Sequence, residues 1–596
     1  MGHTPSLKFG AFVKFCFLIL IVSSCARHQV EHSDAIHLEP SQSLPWAVSE
    51  IPETHRAEGR SFAIASQGSG TSEAGAEMLK RGGNIVDAAV AMSFAVSVER
   101  PQSTGLGGGG FLLFYDASTG ELHTFDFREV APLRSFSQMY LNRSGELVPD
   151  LSRDGILAVG VPGLVAGLYE IHRDFGKLPW AEVLEPAIKL AEEGFAVYDH
   201  LEGALDWRAS VLWKSPGARK IFFHREGEPL REGDLLVQRD LGRVLREIQA
   251  KGRDGFYRSW VGQAILDAFA QAGGLVDRAD FEAYEVKRRV AVEALVHGRK
   301  IYSMPPPSSG GAHIIQMLQA LSFGSLAERG NADSLNVART VASMQQAFSD
   351  RASAMGDPDF VRVPLTELIS RDYAQRTWQI ISQNSFRASD EVQSKWRAEP
   401  RESDETTHFS LITADGSAVA STQTINGWFG SGVVVESTGI VLNNEMDDFT
   451  TKLGASNLFG AIGGEPNKIE PRKRPLSSMS PTIVLNPDTG RAEMALGSPA
   501  GTRIISCVFQ TLLNRYEYGM SLEEAQKTLR YHHQWRPDQI SVEAPGFPEP
   551  LASNLQEMGY DIKEANLGCS IQAVEHDGQA LKAVSDPRGQ GRAIAE

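Results

Sequence analysis

The sequence predicts a mixed α/β protein, and three observations carry that prediction. Residues 72–81 and 85–98 repeat apolar side chains at helical spacing on either side of Gly82-Gly83. Residues 111–115 and 121–127 read as two strands joined by a turn-rich segment at 116–120. Residues 408–414 and 418–425 read as a second strand pair, folding back at Asp415-Gly416.

The remaining elements follow in chain order. Lys8 and Lys14 flank an apolar run at 15–22 that ends in Ser23-Ser24-Cys25. A positive flank, a short apolar core and small residues before a cut point describe an export signal. The run is too short to span a bilayer as a helix, which takes about 20 residues. Val22-Ser23-Ser24-Cys25 resembles a bacterial lipobox, so residues 1–24 are expected to be removed and Cys25 to carry lipid. Ala26 rather than Asp follows, which by resemblance to lipoprotein sorting rules points to the periplasmic side of the outer membrane. Residues 25–60 are polar, hold His28, His32 and His37 without metal-site spacing, and read as a lipidated tether. Globular text starts at residue 61. Helical periodicity recurs at 178–193 and 241–249, and 305–311 is a Pro/Gly/Ser loop. Residues 387–405 are polar and aperiodic, a candidate exposed strip that can be cut. Strands are expected at 482–485 and 492–496, and helices at 504–518 and 522–530.

Bulk composition excludes some functions. The 596 residues give a soft prior of about four domains, although layered enzymes of this size also run as one unit. The net charge of −16 argues against sequence-independent nucleic-acid binding, which needs a basic surface. No Gly-x-Ser-x-Gly elbow, His-Glu-x-x-His or P-loop lysine motif is present. The glycine run at 107–110 lacks dinucleotide-binding spacing and reads as a close backbone approach. His532-His533, if helical, would point apart, which suits packing or surface roles better than a metal. With Cys16 in the signal and Cys25 lipidated, Cys507 and Cys569 remain. Two are too few for a disulfide scaffold or a four-thiolate zinc site, and two separate buried thiols are expected in preference to a single bridge.

Thr406 stands out through its hairpin. A three-residue loop pairing Thr406 with Asn426 and His408 with Thr424 sorts Phe409, Leu411, Val419 and Ile425 onto one buried face. Thr406, Ser410, Thr424 and Asn426 then fall on the other. A threonine hydroxyl is a weak nucleophile and needs a base. Cleavage between Glu405 and Thr406 would supply one, because the freed α-amine has an unperturbed pKa of about 8 and sits on the same residue. The hydroxyl could first attack the Glu405 carbonyl in an intramolecular acyl shift, with hydrolysis of the ester releasing the new N-terminus.

Thr406-Thr407-His408-Phe409-Ser410 and Asn443-Asn444-Glu445-Met446-Asp447-Asp448-Phe449 closely resemble γ-glutamyltranspeptidase. The resemblance extends through Arg474-Pro475-Leu476-Ser477-Ser478-Met479-Ser480-Pro481, Gly497-Ser498-Pro499, Asp126-Phe127-Arg128-Glu129 and His532-His533-Gln534-Trp535, in order, from about residue 60 to the end. It implies a four-layer αββα sandwich of the N-terminal-nucleophile hydrolase type. The precursor would cut itself into a large subunit, 61–405, and a small catalytic one, 406–596, which stay together as a heterodimer. It further implies Thr406 as nucleophile and Thr424 as its hydrogen-bonding activator. Asn426, Glu445 and Asp448 would hold the α-ammonium of the glutamyl group, and Arg128, Ser477 and Ser478 its α-carboxylate. The backbone N–H groups of Ala500 and Gly501 would form the oxyanion hole. Two departures stand out. Alanine replaces the family's first glycine at position 500, which is strained if φ there is positive. Phe459 stands where many bacterial members carry a lid tyrosine, implying a gate that opens more readily. The implied substrates are glutathione and other γ-glutamyl compounds, with water or an amino-acid or peptide acceptor resolving the acyl-enzyme and no metal or organic cofactor. A cephalosporin acylase-like or poly-γ-glutamate-processing enzyme is the near alternative, and a non-catalytic binding lipoprotein the distant one.

Overall fold

The computed structural model describes residue 1 and residues 50–396, 406–452 and 464–596. Cys25, Glu405 and Phe459 lie outside the described residues. Two seven-stranded antiparallel sheets form the centre. The first runs β1 (Arg56–Gly59), β13 (Leu581–Ser585), β12 (Gln572–His576), β11 (Arg491–Gly497), β10 (Thr482–Asn486), β7 (Arg299–Ser303), β6 (Val292–Val296). The second runs β14 (Arg592–Ala595), β2 (Phe62–Ser66), β8 (Thr407–Thr413), β9 (Ala418–Thr424), β3 (Gly109–Asp116), β4 (Glu121–Asp126), β5 (Lys287–Arg288). β8 lies against β11 and β12 of the other sheet.

Helices close both outer faces. α1 (Ser69–Lys80), α2 (Ile85–Glu99) and α3 (Trp180–Glu193) cover the second sheet. α4 (Gly310–Leu321), α5 (Ser334–Ala354) and α6 (Arg503–Tyr516) cover the first. The result is the expected αββα sandwich. α2 shows why the local sequence folds as it does. Asn84 caps it in a reciprocal capping box with Asp87, and apolar residues all round suit a helix with every residue buried.

The layering corrects the expected one-sided hairpin. Phe409, Leu411 and Val419 pack into the helix-facing core, whereas Ile412, Ala418 and Ala420 pack into the core between the sheets. A sheet covered on both sides has no solvent face, so alternation in sequence does not mean exposure. The register also differs. Thr407 pairs with Gln423 and His408 with Thr422, two residues from the expected alignment, so Thr406 falls opposite Thr424 instead of Asn426. The loop does hold three residues, but it closes between Thr413 and Ser417, with Gly416 at φ +94°. Glycine takes that conformation without the steric cost a Cβ would bring, which favours the turn at this position.

Other boundaries move as well. Ile51 is buried, and β1 pairs with β13, so the described residues 50–60 belong to the folded body and not to the expected tether. Residues 387–396 are not a free strip. The Ser389 N–H donates to Asp538 Oδ2 at 2.8 Å, the Ser394 hydroxyl donates to Asp350 at 2.8 Å, and Val392 is buried. The last predicted helix is shorter, Leu522–Lys527, and His532 lies in the short strand Tyr531–His532. Both histidines are buried packing residues, His532 beside the Ser506 hydroxyl at 2.7 Å and His533 near Asp538 at 3.4 Å. Cys507 and Cys569 are joined in a disulfide, contrary to the expectation of separate thiols. Helix α6 and the chain leading into β12 bring their Cα atoms to 6.4 Å, a spacing no local pattern predicts.

Candidate active site

Thr406 sits where the central strand β8 begins, and only 5 % of it is exposed. The glycine run at 107–110 explains how so much backbone converges here. A Cβ on Gly107, Gly108, Gly109 or Gly110 would strike the carbonyl oxygen of Val441, Thr424, Phe127 or Thr422 respectively. Main chains therefore cross at a distance only glycine permits. Past β9 the chain turns sharply, with Asn426 at φ +72°. The Asn426 N–H donates to Thr424 Oγ1 at 2.8 Å, its Nδ2 donates to the Asn444 carbonyl at 3.0 Å, and Gly427 N–H donates to Asn444 Oδ1 at 2.9 Å. That ties the end of β9 to the short helix Glu445–Asp448.

Arg128 follows β4 as expected and is 1 % exposed. Its Nε donates to the Pro475 carbonyl at 3.1 Å and Nη2 to the Leu476 carbonyl at 3.2 Å, which locks it against the serine loop. Nη1 bonds Glu445, and Nη2 bonds Asp448 Oδ2 at 2.5 Å. The guanidinium is thus fully engaged by the two carboxyls that the resemblance assigns to an ammonium. The Ser477 N–H donates to the Pro307 carbonyl at 2.9 Å, and Ser478 Oγ accepts from Arg351 Nη2 at 3.3 Å.

These residues enclose a cleft lined by Arg128, Thr406, Thr424, Asn426, Glu445, Asp448, Ser477, Ser478 and Gly501. Its volume of about 20 Å³ is room for little more than one water. Of the described predicted site residues, only Ala500 is not in its wall. Ala500 is buried at φ +106°, and its carbonyl accepts from Arg503 N–H at 3.0 Å as α6 opens. The replacement of glycine therefore falls on the strained side of φ. Gly501 follows at φ +53° and lines the cleft at the start of α6, where backbone N–H groups favour negative charge.

Arg128 faces three buried carboxyls, and the buried Arg351 guanidinium also acts on Asp448. Burial opposes the Arg128 charge, but Glu445 and Asp448 outweigh it and hold the group above the ordinary arginine range. Burial raises Asp448 to about 7 against the pull of Arg128. Burial also raises Glu445, and it raises Glu129 well above the carboxylate range with Glu445 adding to the effect. Glu445 Oε2 and Asp448 Oδ1 accept no N–H from the protein. The carboxyls abut one another, so a shared proton is their main relief. The cluster is poised to accept a further cation.

Two participants were not legible as site residues. Arg351, on α5, donates from Nε to Ser309 Oγ at 2.8 Å and reaches Ser478; burial lowers it to about 9. Nothing local distinguishes it from other helical arginines. Glu129 belongs to the Asp126-Phe127-Arg128-Glu129 motif, but the resemblance implies no role for it. Among the described residues no group of three or more His, Cys, Asp or Glu could hold a metal.

The sequence profile of the family described as Gamma-glutamyltranspeptidase matches residues 71–596. The chain is 40 % identical over 529 residues to a glutathione hydrolase proenzyme of Escherichia coli, covering 88 % of this chain and 90 % of that protein. It is 35 % identical over 541 residues to a glutathione hydrolase proenzyme of Bacillus subtilis, covering 88 % and 89 %. A gamma-glutamyltranspeptidase structure from Helicobacter pylori superposes with TM-score 0.54 at 36 % identity over 60 % of this chain and 97 % of its own. A cephalosporin acylase from Bacillus halodurans superposes with TM-score 0.78 over 94 % and 99 %, but at 23 % identity that likeness concerns the fold.

Proposed function

The chain belongs to the gamma-glutamyltranspeptidase family, and on that premise we propose that Thr406, freed as an N-terminus, is the nucleophile with which it breaks γ-glutamyl amides. The protein is an enzyme of γ-glutamyl hydrolysis and transfer, with glutathione as the substrate its relatives' names indicate. The observation that carries the mechanism is a buried cleft in which Thr406 adjoins a cation and a carboxyl cluster short of donors.

Binding is a charge exchange. The glutamyl α-carboxylate takes the Arg128 fork, with the Ser477 and Ser478 hydroxyls beside it. The α-ammonium takes Glu445 and Asp448, supplying the donor those oxygens lack. Arg128 must part from both carboxyls, and the zwitterion replaces each charge with its like, so the buried balance is kept. Thr406 Oγ then attacks the γ-carbonyl while its own α-amine takes the hydroxyl proton, assisted by Thr424. The oxyanion is met by Gly501 and Ala500 N–H at the head of α6. The proton passes to the leaving amine, and water or an acceptor amine resolves the ester. Cleavage at Glu405–Thr406 would divide the chain into subunits 61–405 and 406–596.

Export with a lipid anchor on Cys25 is part of the proposal. The Cys507–Cys569 bridge supports the export, because disulfides persist in oxidising compartments. N-terminal sequencing of the smaller fragment, expected to begin Thr-Thr-His-Phe, tests the cut. Thr406→Ala should run as one uncut band and release nothing from γ-glutamyl-p-nitroanilide; an active variant would overturn the mechanism. Turnover of glutaryl amides as fast as γ-glutamyl amides would favour the acylase reading, since a glutaryl group brings no ammonium for Glu445 and Asp448.

A further inference from the structure

Thr406 borders two cavities, and among the described residues it alone lines both. The tight cleft takes the glutamyl head. On the other side lies a space of about 640 Å³ lined by Gln67, Arg100, Ser103, His200 and Trp428 among others. If Thr406 is the nucleophile, the departing amine and the incoming acceptor must occupy this second space.

Arg100 is the unusual member of its wall. It is 3 % exposed at the C-terminal end of α2. Nη1 donates to the Gln67 carbonyl at 3.1 Å, Nη2 lies 3.4 Å from His200 Nδ1, and the guanidinium sits 5.6 Å from the Tyr198 ring centre. Its Nε has no hydrogen-bond partner. His200 cannot balance the charge, because an imidazole is neutral or cationic; burial and then Arg100 itself push it down to about 3, leaving it neutral. Two of the nearby carboxylates are engaged elsewhere, while Glu564 of the same wall makes no ion pair with Arg100. Glu99 accepts from Gly70 N–H, Thr71 N–H and Thr71 Oγ1, and Glu543 is held by Arg588 through both oxygens at 2.6 Å. Among the described residues no carboxylate forms an ion pair with Arg100. A buried, unpaired guanidinium is costly unless an anion joins it. Gln67 also fixes it relative to the nucleophile, since Gln67 Oε1 accepts from Thr407 Oγ1 at 2.9 Å and from His408 N–H at 3.0 Å.

We infer that Arg100 binds the free carboxylate of the amine that leaves the acyl-enzyme and of the acceptor that replaces it, selecting amino acids and peptides over uncharged amines. This rests on the reading of Thr406 as nucleophile. The test compares γ-glutamyl dipeptides ending in a free carboxylate with the same compounds ending in an amide, by kcat/KM within each protein. For the native enzyme the amide should be poorer by about 10- to 100-fold, the range for a hydrogen bond to a charged group. In Arg100→Gln the ratio should collapse towards one, whatever happens to the absolute rate. In Arg100→Lys, which keeps the charge but not the fork, it should fall several-fold, and this variant serves if the first does not fold. An unchanged ratio in either variant overturns the inference. Failure of the native enzyme to turn over either compound would instead sink the γ-glutamyl reading.

Discussion

Replacing Gly497 by alanine adds one methyl at the end of β11, directly above the ring of His408. That methyl would fall inside contact distance of three ring atoms, with Nε2 at 2.7 Å. The ring cannot step aside cheaply. It is 1 % exposed between the sheets, Nδ1 is 2.7 Å from Thr422 Oγ1, and Nε2 is 2.9 Å from Ser410 Oγ. Burial pushes its pKa down to about 3, so the ring is neutral, one nitrogen donating and the other accepting. Overpacking costs about 1 to 3 kcal/mol, and each hydrogen bond broken by the shift adds about 1 kcal/mol. Gly497→Ala should therefore destabilise by about 3 to 5 kcal/mol, a large part of a typical stability of roughly 5 to 15 kcal/mol. His408 lies on β8 two residues past Thr406, and a misplacement of about 1 Å can cost on the order of 100-fold in rate. The assays are the urea unfolding midpoint and the release of p-nitroaniline from the γ-glutamyl anilide. Gly203→Ala is the control. Gly203 is exposed inside the helix Asp199–Leu212, and an added Cβ meets nothing within 4 Å. There the same methyl should stabilise by up to about 1 kcal/mol. If Gly497→Ala unfolds and turns over like the native enzyme, the packing argument is wrong.

Two further changes test the electrostatics and the backbone of the site. Burial raises Asp448 from its ordinary 3.8 to about 7, so between those values the folded protein keeps a proton that the unfolded chain has lost. That contribution to stability is complete below about pH 3.8 and lost as pH rises through about 7. Asp448→Asn should therefore flatten the decline in thermal midpoint between pH 5 and pH 8, and an undiminished decline would remove Asp448 as its source. At Ala500, φ +106° already strains the side chain. Ala500→Val should cost about 2 kcal/mol or more, whereas Ala500→Gly, trading strain against chain entropy and a buried methyl, should stay within about 1 kcal/mol. Equal unfolding midpoints for the two variants would refute the strain.

The reach of the sequence can be judged residue by residue. Helical spacing at 85–98 and the strand pair at 111–127 depend on neighbours a few positions away, and both appear as α2, β3 and β4. The hairpin after Thr406 was legible as a hairpin, but its register was not. Both faces of β8 are buried, so the apolar–polar sorting used to choose an alignment carried no information about solvent. The cleft residues were legible because their motifs are short and local. Nine of them line one cavity although they come from separate parts of the chain. Arg351 was hidden because its partners, Ser309 and Ser478, lie 42 and 127 positions away.

The sequence by itself determined the chemical inventory: a threonine able to become an N-terminus, an arginine and two acidic residues for a zwitterion, and an alanine where a glycine was expected. Only the tertiary structure decided that Arg128 pairs with Glu445 and Asp448, that Cys507 meets Cys569, and that φ at Ala500 is positive. The physical reason is range. Periodicity and motif chemistry act through adjacent residues. Ion pairing, burial and backbone strain depend on which distant segments the two sheets bring together, and on the water that their contact removes.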